Sequence, residues 1–243
     1  MVSDIMPLPK IATPTYELVI PSTKKKIKYR PFLVKEEKVL IIAMESENTT
    51  QIANAVKDVI KNCIITRGVK VEELSTFDIE YLFLNIRGKS VGEEVEVLVT
   101  CPDDGSTKVP MNIVLDDIGI QYDDNHSPDI KLDDSLTLRM KYPSMDQFVK
   151  NNFAIDDVNV DETFDIITSC IEQVYNEEES WSSTDCTKKE LRDFLDSLSS
   201  KQFKEIEKFF ATMPKLSHTI QVKNPNTDVE SEIVLEGLAS FFA

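Results

Sequence analysis

Six glycines and two histidines in 243 residues leave little room for most enzyme chemistry. The glycines (Gly68, Gly88, Gly92, Gly105, Gly119, Gly237) never cluster, so no loop is built to cradle a phosphate. His126 and His218 have no serine-elbow motif or reactive-cysteine signature beside them, and both read as surface residues. No catalytic residue and no cofactor site is expected. Long apolar runs are missing too. The longest, Val39 to Met44, is far short of the roughly 20 residues a membrane span needs. The first eleven residues carry Pro7 and Pro9 and lack the apolar stretch of a signal peptide, so a cytosolic protein is expected. Positive charge is scarce as well, with 27 Lys and Arg against 43 Asp and Glu, a net −16. Such a surface repels phosphate backbones and anionic membranes and excludes nucleic acid and lipid as expected partners.

Metal-binding patterns are incomplete. Cys63, Cys101, Cys170 and Cys186 are widely spaced, and they read as reduced thiols serving as small apolar residues. Cys101-Pro102-Asp103-Asp104-Gly105 looks like half a zinc knuckle without its second cysteine. A calcium loop starting at Asp123 fails because Pro128 stands where glycine is required and Asp134 where glutamate is. No metal is expected.

What is present is pattern. Tyr16 to Ile20 and Ile27 to Arg30 read as a hairpin, and Lys24, Lys25, Lys26 and Lys28 with Arg30 form the one dense basic cluster. That cluster reads either as a solvated edge strand or as a contact for an acidic partner. Three helices follow: Lys35 to Glu45; a second with Ile52, Ala55, Val56, Val59, Ile60 and Cys63 on one face, capped by Thr49 or Thr50; and a third from Ser75 ended by Gly88. All three apolar faces are expected to be core. From Glu94 the period becomes strand-like, with a turn at Asp103-Asp104-Gly105 and a later strand at Leu136, Leu138 and Met140. Seven aspartates between Asp116 and Asp134 predict a solvated, mobile connection.

Helical periodicity then returns. Ser144-Met145-Asp146-Gln147 reads as a capping box, and Phe164, Ile167, Cys170, Ile171 and Val174 as one helical stripe. Thr187 with Glu190 and Ser199 with Gln202 open two further helices. A hairpin around Asn224-Pro225-Asn226 closes the chain. The expected fold is α+β, helices at both ends flanking a central antiparallel β-region, with terminal β-hairpins. Its expected parts are an N-terminal hairpin and helical region (1–93), a central β-region with an acidic connection (94–143), and a C-terminal helical region closed by a hairpin (144–243). After that hairpin come Leu238, Phe241 and Phe242, apolar residues that need burial either in the chain's own core or in a groove on a neighbour.

Two stretches carry a resemblance. Phe32-Leu33-Val34-Lys35-Glu36-Glu37-Lys38-Val39-Leu40 with Ala43-Met44-Glu45 is one; Thr76-Phe77-Asp78-Ile79-Glu80-Tyr81-Leu82-Phe83 with Arg87-Gly88-Lys89-Ser90-Val91-Gly92 is the other. They resemble the baseplate hub proteins of T-even-type contractile-tailed phages, a group holding both a hub subunit and a hub-assembly catalyst. The resemblance is densest over residues 14 to 115. Relatives place cysteine-rich knuckles at such hairpins, whereas here Cys101 stands alone. The resemblance implies a non-enzymatic protein that binds other hub or tail proteins in the cytoplasm of an infected bacterium and in the tail baseplate. A structural subunit is the first expectation, and a transient assembly factor for the hub or tape-measure protein is the alternative. A cell-wall hydrolase is a third class, which needs a general acid and a saccharide cleft. The residues expected to touch a partner are Lys24, Lys25, Lys26, Lys28, Leu238, Phe241 and Phe242.

Overall fold

Two hydrophobic cores form, and the chain passes from the first to the second and back again. The computed structural model describes residues 11–46, 48–144, 160–237 and 240, among which are six helices and eleven strands in small antiparallel sheets, an α+β fold. Strands β1 (Tyr16–Val19) and β2 (Lys26–Tyr29) pair with Tyr16 opposite Tyr29 and Val19 opposite Lys26. Then come helices α1 (Val34–Glu45), α2 (Thr49–Cys63) and α3 (Thr76–Val91), the hairpin β3 (Glu94–Thr100) and β4 (Lys108–Val114), and the short strand β5 (Gly119–Gln121). The second core uses β6 (Asp129–Lys131), β7 (Thr137–Met140), α4 (Val160–Cys170), β8 (Ile171–Tyr175), β9 (Ser180–Ser182), α5 (Lys188–Asp196) and α6 (Ser200–Thr212). The hairpin β10 (Lys215–Lys223) and β11 (Glu230–Glu236) follows it in sequence. Its Leu216, Ile220 and Val222 nevertheless fill the first core, and β10 pairs with β5. The first core is therefore discontinuous in sequence, since β10 returns to pair with β5.

The apolar stripe of α2 is buried as expected, although Asn48, one residue before the threonines, caps it by accepting from the Gln51 N–H at 3.0 Å. Helix α3 is buried or half-buried on every side and lies at the centre of the first core, with Phe77, Ile79, Leu82, Leu84 and Ile86 buried. Gly88 does not end it. The helix runs on to Val91, and Gly88 serves instead as a close-approach point, where an added Cβ would stand 3.3 Å from Leu115 Cδ1.

Three further expectations are corrected. The aspartate-rich stretch is exposed over most of its length but not throughout: Ile118, Ile130 and Leu132 are buried, and Asp123 and Asp133 accept the N–H groups of Asn125, Ser135 and Leu136, so those carboxylates build turns. The stripe from Phe164 to Val174 is split, since α4 stops at Cys170 and Ile171 and Val174 belong to β8 between β7 and β9. The outer edge of β2 is not open to solvent, because Arg30 N–H donates to Cys63 O and Ile65 N–H to Lys28 O. The capping boxes at Thr187–Glu190 and Ser199–Gln202 form as expected. The one expected at Ser144 to Gln147 falls largely outside the described residues.

Two polar clasps hold distant segments of the first core together. Asp78, fully buried at the start of α3, accepts from Ser22 N–H (2.9 Å), from the Ser22 and Ser75 hydroxyls and from Ser75 N–H, tying the β1–β2 turn to the helix. The second clasp joins two turns of the same construction, Cys101-Pro102-Asp103-Asp104-Gly105 and Asn224-Pro225-Asn226-Thr227-Asp228. In each, the fifth N–H donates to the first carbonyl (3.0 and 2.9 Å), and the fifth residue has a positive φ (65° and 60°). The buried Asn224 amide donates to both Asp103 carboxylate oxygens and to Asp104, while Thr227 donates to Asp103.

Candidate protein-binding surfaces

The basic residues of the first hairpin make different contacts within the chain. Lys26 and Lys28 lie on the exposed face of β2 and both ion-pair with Glu17 across the hairpin, Lys28 at 3.8 Å. The Lys26 ammonium, with help from Lys28, holds the Glu17 carboxyl below its ordinary value. Lys24 turns elsewhere, donating to Tyr122 Oη at 3.2 Å and lying 4.8 Å from that ring's centre. Lys25 is exposed in the turn. Leu238, Phe241 and Phe242 lie outside the described residues. The chain just before them is fixed, Gly237 N–H donating to Leu216 O at 3.0 Å.

The groups that looked closest to chemistry are occupied in packing. His126 is not a surface residue. It packs against the second core, its ring 5.6 Å from Tyr142 and 5.1 Å from Phe209, centroid to centroid. Its Nδ1 lies 3.0 Å from Thr212 Oγ1 and its Nε2 3.0 Å from Tyr142 Oη. Since Thr212 donates its own proton to Lys208 O at 2.8 Å, His126 Nδ1–H donates to Thr212 and Nε2 accepts from Tyr142, the neutral tautomer. Burial pushes the imidazole below its ordinary pKa against the opposing pull of Asp123. His218 is half-buried on β10. Burial pushes the Cys63 and Cys170 thiols up to about 11, and it raises Cys101. These are poor nucleophiles at neutral pH. Among the described residues, no three His, Cys, Asp or Glu side chains converge as a metal-binding group, and no helix is long and apolar enough to cross a membrane.

Between the cores lies a cleft of about 700 Å³, lined by Ser22, Glu72, Ser75, Met140, Tyr142 and Cys170 among others. The two cores also touch directly: Thr76 N–H donates to Pro143 O at 3.0 Å, and Phe77 meets Tyr142 edge-on at 5.0 Å.

The surface that the sequence reading missed is α1. Its buried side holds Ala43 and the charged Glu36, which accepts from Arg30 Nη2 and Leu33 N–H, both at 2.8 Å. Burial pushes the Glu36 carboxyl up, but those two donors outweigh it and hold the group below its ordinary value. Its outer side carries five exposed apolar side chains interleaved with Lys35, Glu37, Lys38 and Glu45: Val34 is 79% exposed, Ile42 and Met44 55%, Ile41 51% and Val39 46%. The expectation that this helix buries its apolar face is corrected. The signal was available, since Val39 to Met44 is the longest apolar run of the chain, and no single stripe of a 3.6-residue helix can bury a continuous run.

A family model described as T4 bacteriophage base plate protein matches residues 13–243. No curated protein and no solved structure matches the chain.

Proposed function

The chain belongs to the T4 bacteriophage base plate protein family, a phage tail component, and on that footing we propose that it is a non-enzymatic, protein-binding subunit of the baseplate hub. The observation that carries the protein-binding part is the outer face of α1, with five apolar side chains about half exposed or more on one short helix. Exposed apolar side chains so concentrated mark a surface that another protein covers. The rest of the reading is consistent with this. A net charge of −16 repels nucleic acid and anionic lipid and leaves protein as the partner class. Neither buried thiols nor a histidine with both nitrogens engaged offers a poised base or nucleophile. In this reading the protein is made in the cytoplasm of the infected cell and stays with the tail, and it needs no cofactor.

Quantitative mass spectrometry of purified virions tests the proposal. The expected result is the chain in fixed stoichiometry to the other baseplate proteins. Its absence from virions, with tails failing to assemble when its gene is disrupted, would transfer the role to a transient assembly factor. Solubilisation of purified cell wall by the isolated protein would overturn the non-enzymatic part.

A further inference from the structure

The geometry points to a specific docking mode for α1: the helix is inserted as a ridge into an apolar groove, formed by at least two elements, on a different tail protein. This rests on the reading that the chain binds tail proteins, and it adds the shape and chemistry of the partner.

The apolar residues are spread widely around the helix axis. At about 100° per residue, Met44, Ile41, Val34, Ile42 and Val39 occupy an arc of roughly 220° in that order. All five are exposed, while Glu36 and Ala43 fill the opposite side. A flat surface covers an arc of about 100° of a helix, the width of an ordinary amphipathic stripe. It would reach Val34 and Ile41 and leave Val39 in water. Covering Val39 and Ile41 together takes walls on both sides, which is the helix-in-groove mode of recognition.

Charge and area argue against a second copy as the occupant. Two chains of −16 each repel, and a second α1 offers another convex ridge rather than a groove. The apolar side chains expose on the order of 500 Å², the size of the largest patch on an ordinary monomer. A standard interface takes about 800 Å² from each partner, so the groove walls must also cover the aliphatic stems of the lysines between the apolar residues. The charges on this face sum to zero, Lys35 and Lys38 against Glu37 and Glu45, so it lacks the net negative field of the chain as a whole, and their heads can stay in water at the groove rim. The helix is also held in advance. The Arg30–Glu36 ion pair and the hydrogen bond from Phe32 N–H to Ser90 Oγ at 2.9 Å fix its first turn to the first core, so little ordering remains to be done on binding.

Photo-crosslinking during infection tests the docking mode. The photoreactive residue p-benzoylphenylalanine is placed at Ile41 or, in a second phage, at Val39, about 160° away around the axis. The expected result is that both positions form adducts with one other tail protein, on two separate segments of it. Ile41→Glu combined with Ile42→Glu should lower recovery of that protein with the chain by about tenfold or more, the effect of losing a central anchor. Its melting temperature should be unchanged, because both side chains already face water. Adducts to the chain's own residues 1–10, to a second copy, from only one of the two positions, or from neither overturn the proposal. In each of those cases a stoichiometric presence in virions leaves the baseplate subunit reading standing, so the two failures are distinguishable.

Discussion

The two cores are held together by different means. The first is discontinuous: residues from Ile20 to Ile118 are completed by Leu216, Ile220 and Val222. Because its parts come from distant stretches of chain, specific polar clasps fix their relative positions, at Asp78 and at the paired turns. The second core is contiguous, from Ile130 to Phe209, and contains no counterpart to the buried Asp78 among the described residues. It relies on capped helices and stacked rings, Phe164 on Phe203 at 5.4 Å and Tyr142 on Phe209 at 5.8 Å, with ion pairs outside. Where chain order brings neighbours together, apolar packing and local caps suffice. Where it does not, buried polar groups set the register, since an unsatisfied partner inside the protein is costly.

Truncation of the centres gives the largest effect and tests whether the cores are separable. Leu82→Ala and Leu138→Ala each empty a fully buried site and should cost about 3 kcal/mol. In Leu138→Ala, hydrogen exchange should show lost protection in β7 and β8 while α3 stays protected; simultaneous loss in both regions would merge the cores into one cooperative unit. Removing the first clasp comes next. Asp78→Ala leaves Ser22 N–H and two hydroxyls without their acceptor, at a cost of about 2–3 kcal/mol in urea unfolding, and should loosen the β1–β2 turn before any part of the second core. Asn224→Ala should cost about 1–2 kcal/mol by the same logic, read as faster amide exchange in both turns; an effect confined to residues 224–228 would show that the turns are not coupled.

The fourth prediction concerns His126, packed against the second core. The folded-state pKa of His126 is depressed by burial, so the unfolded chain binds its proton more readily. Its contribution to stability is therefore fully present above the ordinary histidine value and is lost as pH falls through the lowered folded value. As pH falls below about 6.5, stability should fall, and His126→Phe should flatten the start of that decline while leaving the steeper loss at lower pH. That lower-pH loss belongs to carboxylates held below their ordinary values, Asp129 by Arg139 and Asp103 by Thr227 and Asn224. The smallest effect is expected at the surface of the second core. Arg192→Ala, removing pairs to Asp161 and Asp165, should cost a few tenths of a kcal/mol and vanish in high salt.

How legible the fold was depended on how local its causes are. The α2 stripe, the capping boxes at Thr187 and Ser199 and the hairpin around Asn224 each depend on residues within a few positions of one another, and all were readable. The α+β class follows from the same local periods. The end of α4 was not readable, because Ile171 and Val174 fit a helical stripe as well as an irregular strand, and pairing with β7 and β9 decides between them. The aspartate-rich stretch misled because a count of charges does not reveal that carboxylates are accepting turn N–H groups. His126 and the paired turns depend on contacts between residues 86 and about 120 positions apart, for which one sequence carries no signal. The α1 surface lay in between: its apolar run was visible, and the error was to assign every apolar helix to a core.

The discontinuity of the first core also has a consequence in time. Gln121 and Lys215 are paired partners on β5 and β10, so the chain leaves the first core and rejoins it at a single point. On the ribosome, the stretch between them is made and can collapse around its own contacts while the earlier part still lacks Leu216, Ile220 and Val222. The amino-terminal stretch, although translated first, is thus the last to be finished. Until residue 222 has emerged, the side of that core meant for β10 is bare. Chain order and folding order run opposite ways here, and the long-range closure that ends the process is the slow kind. A stalled or truncated nascent chain ending before Leu216 should therefore keep chaperones bound to its first hundred residues, however well its later helices have formed.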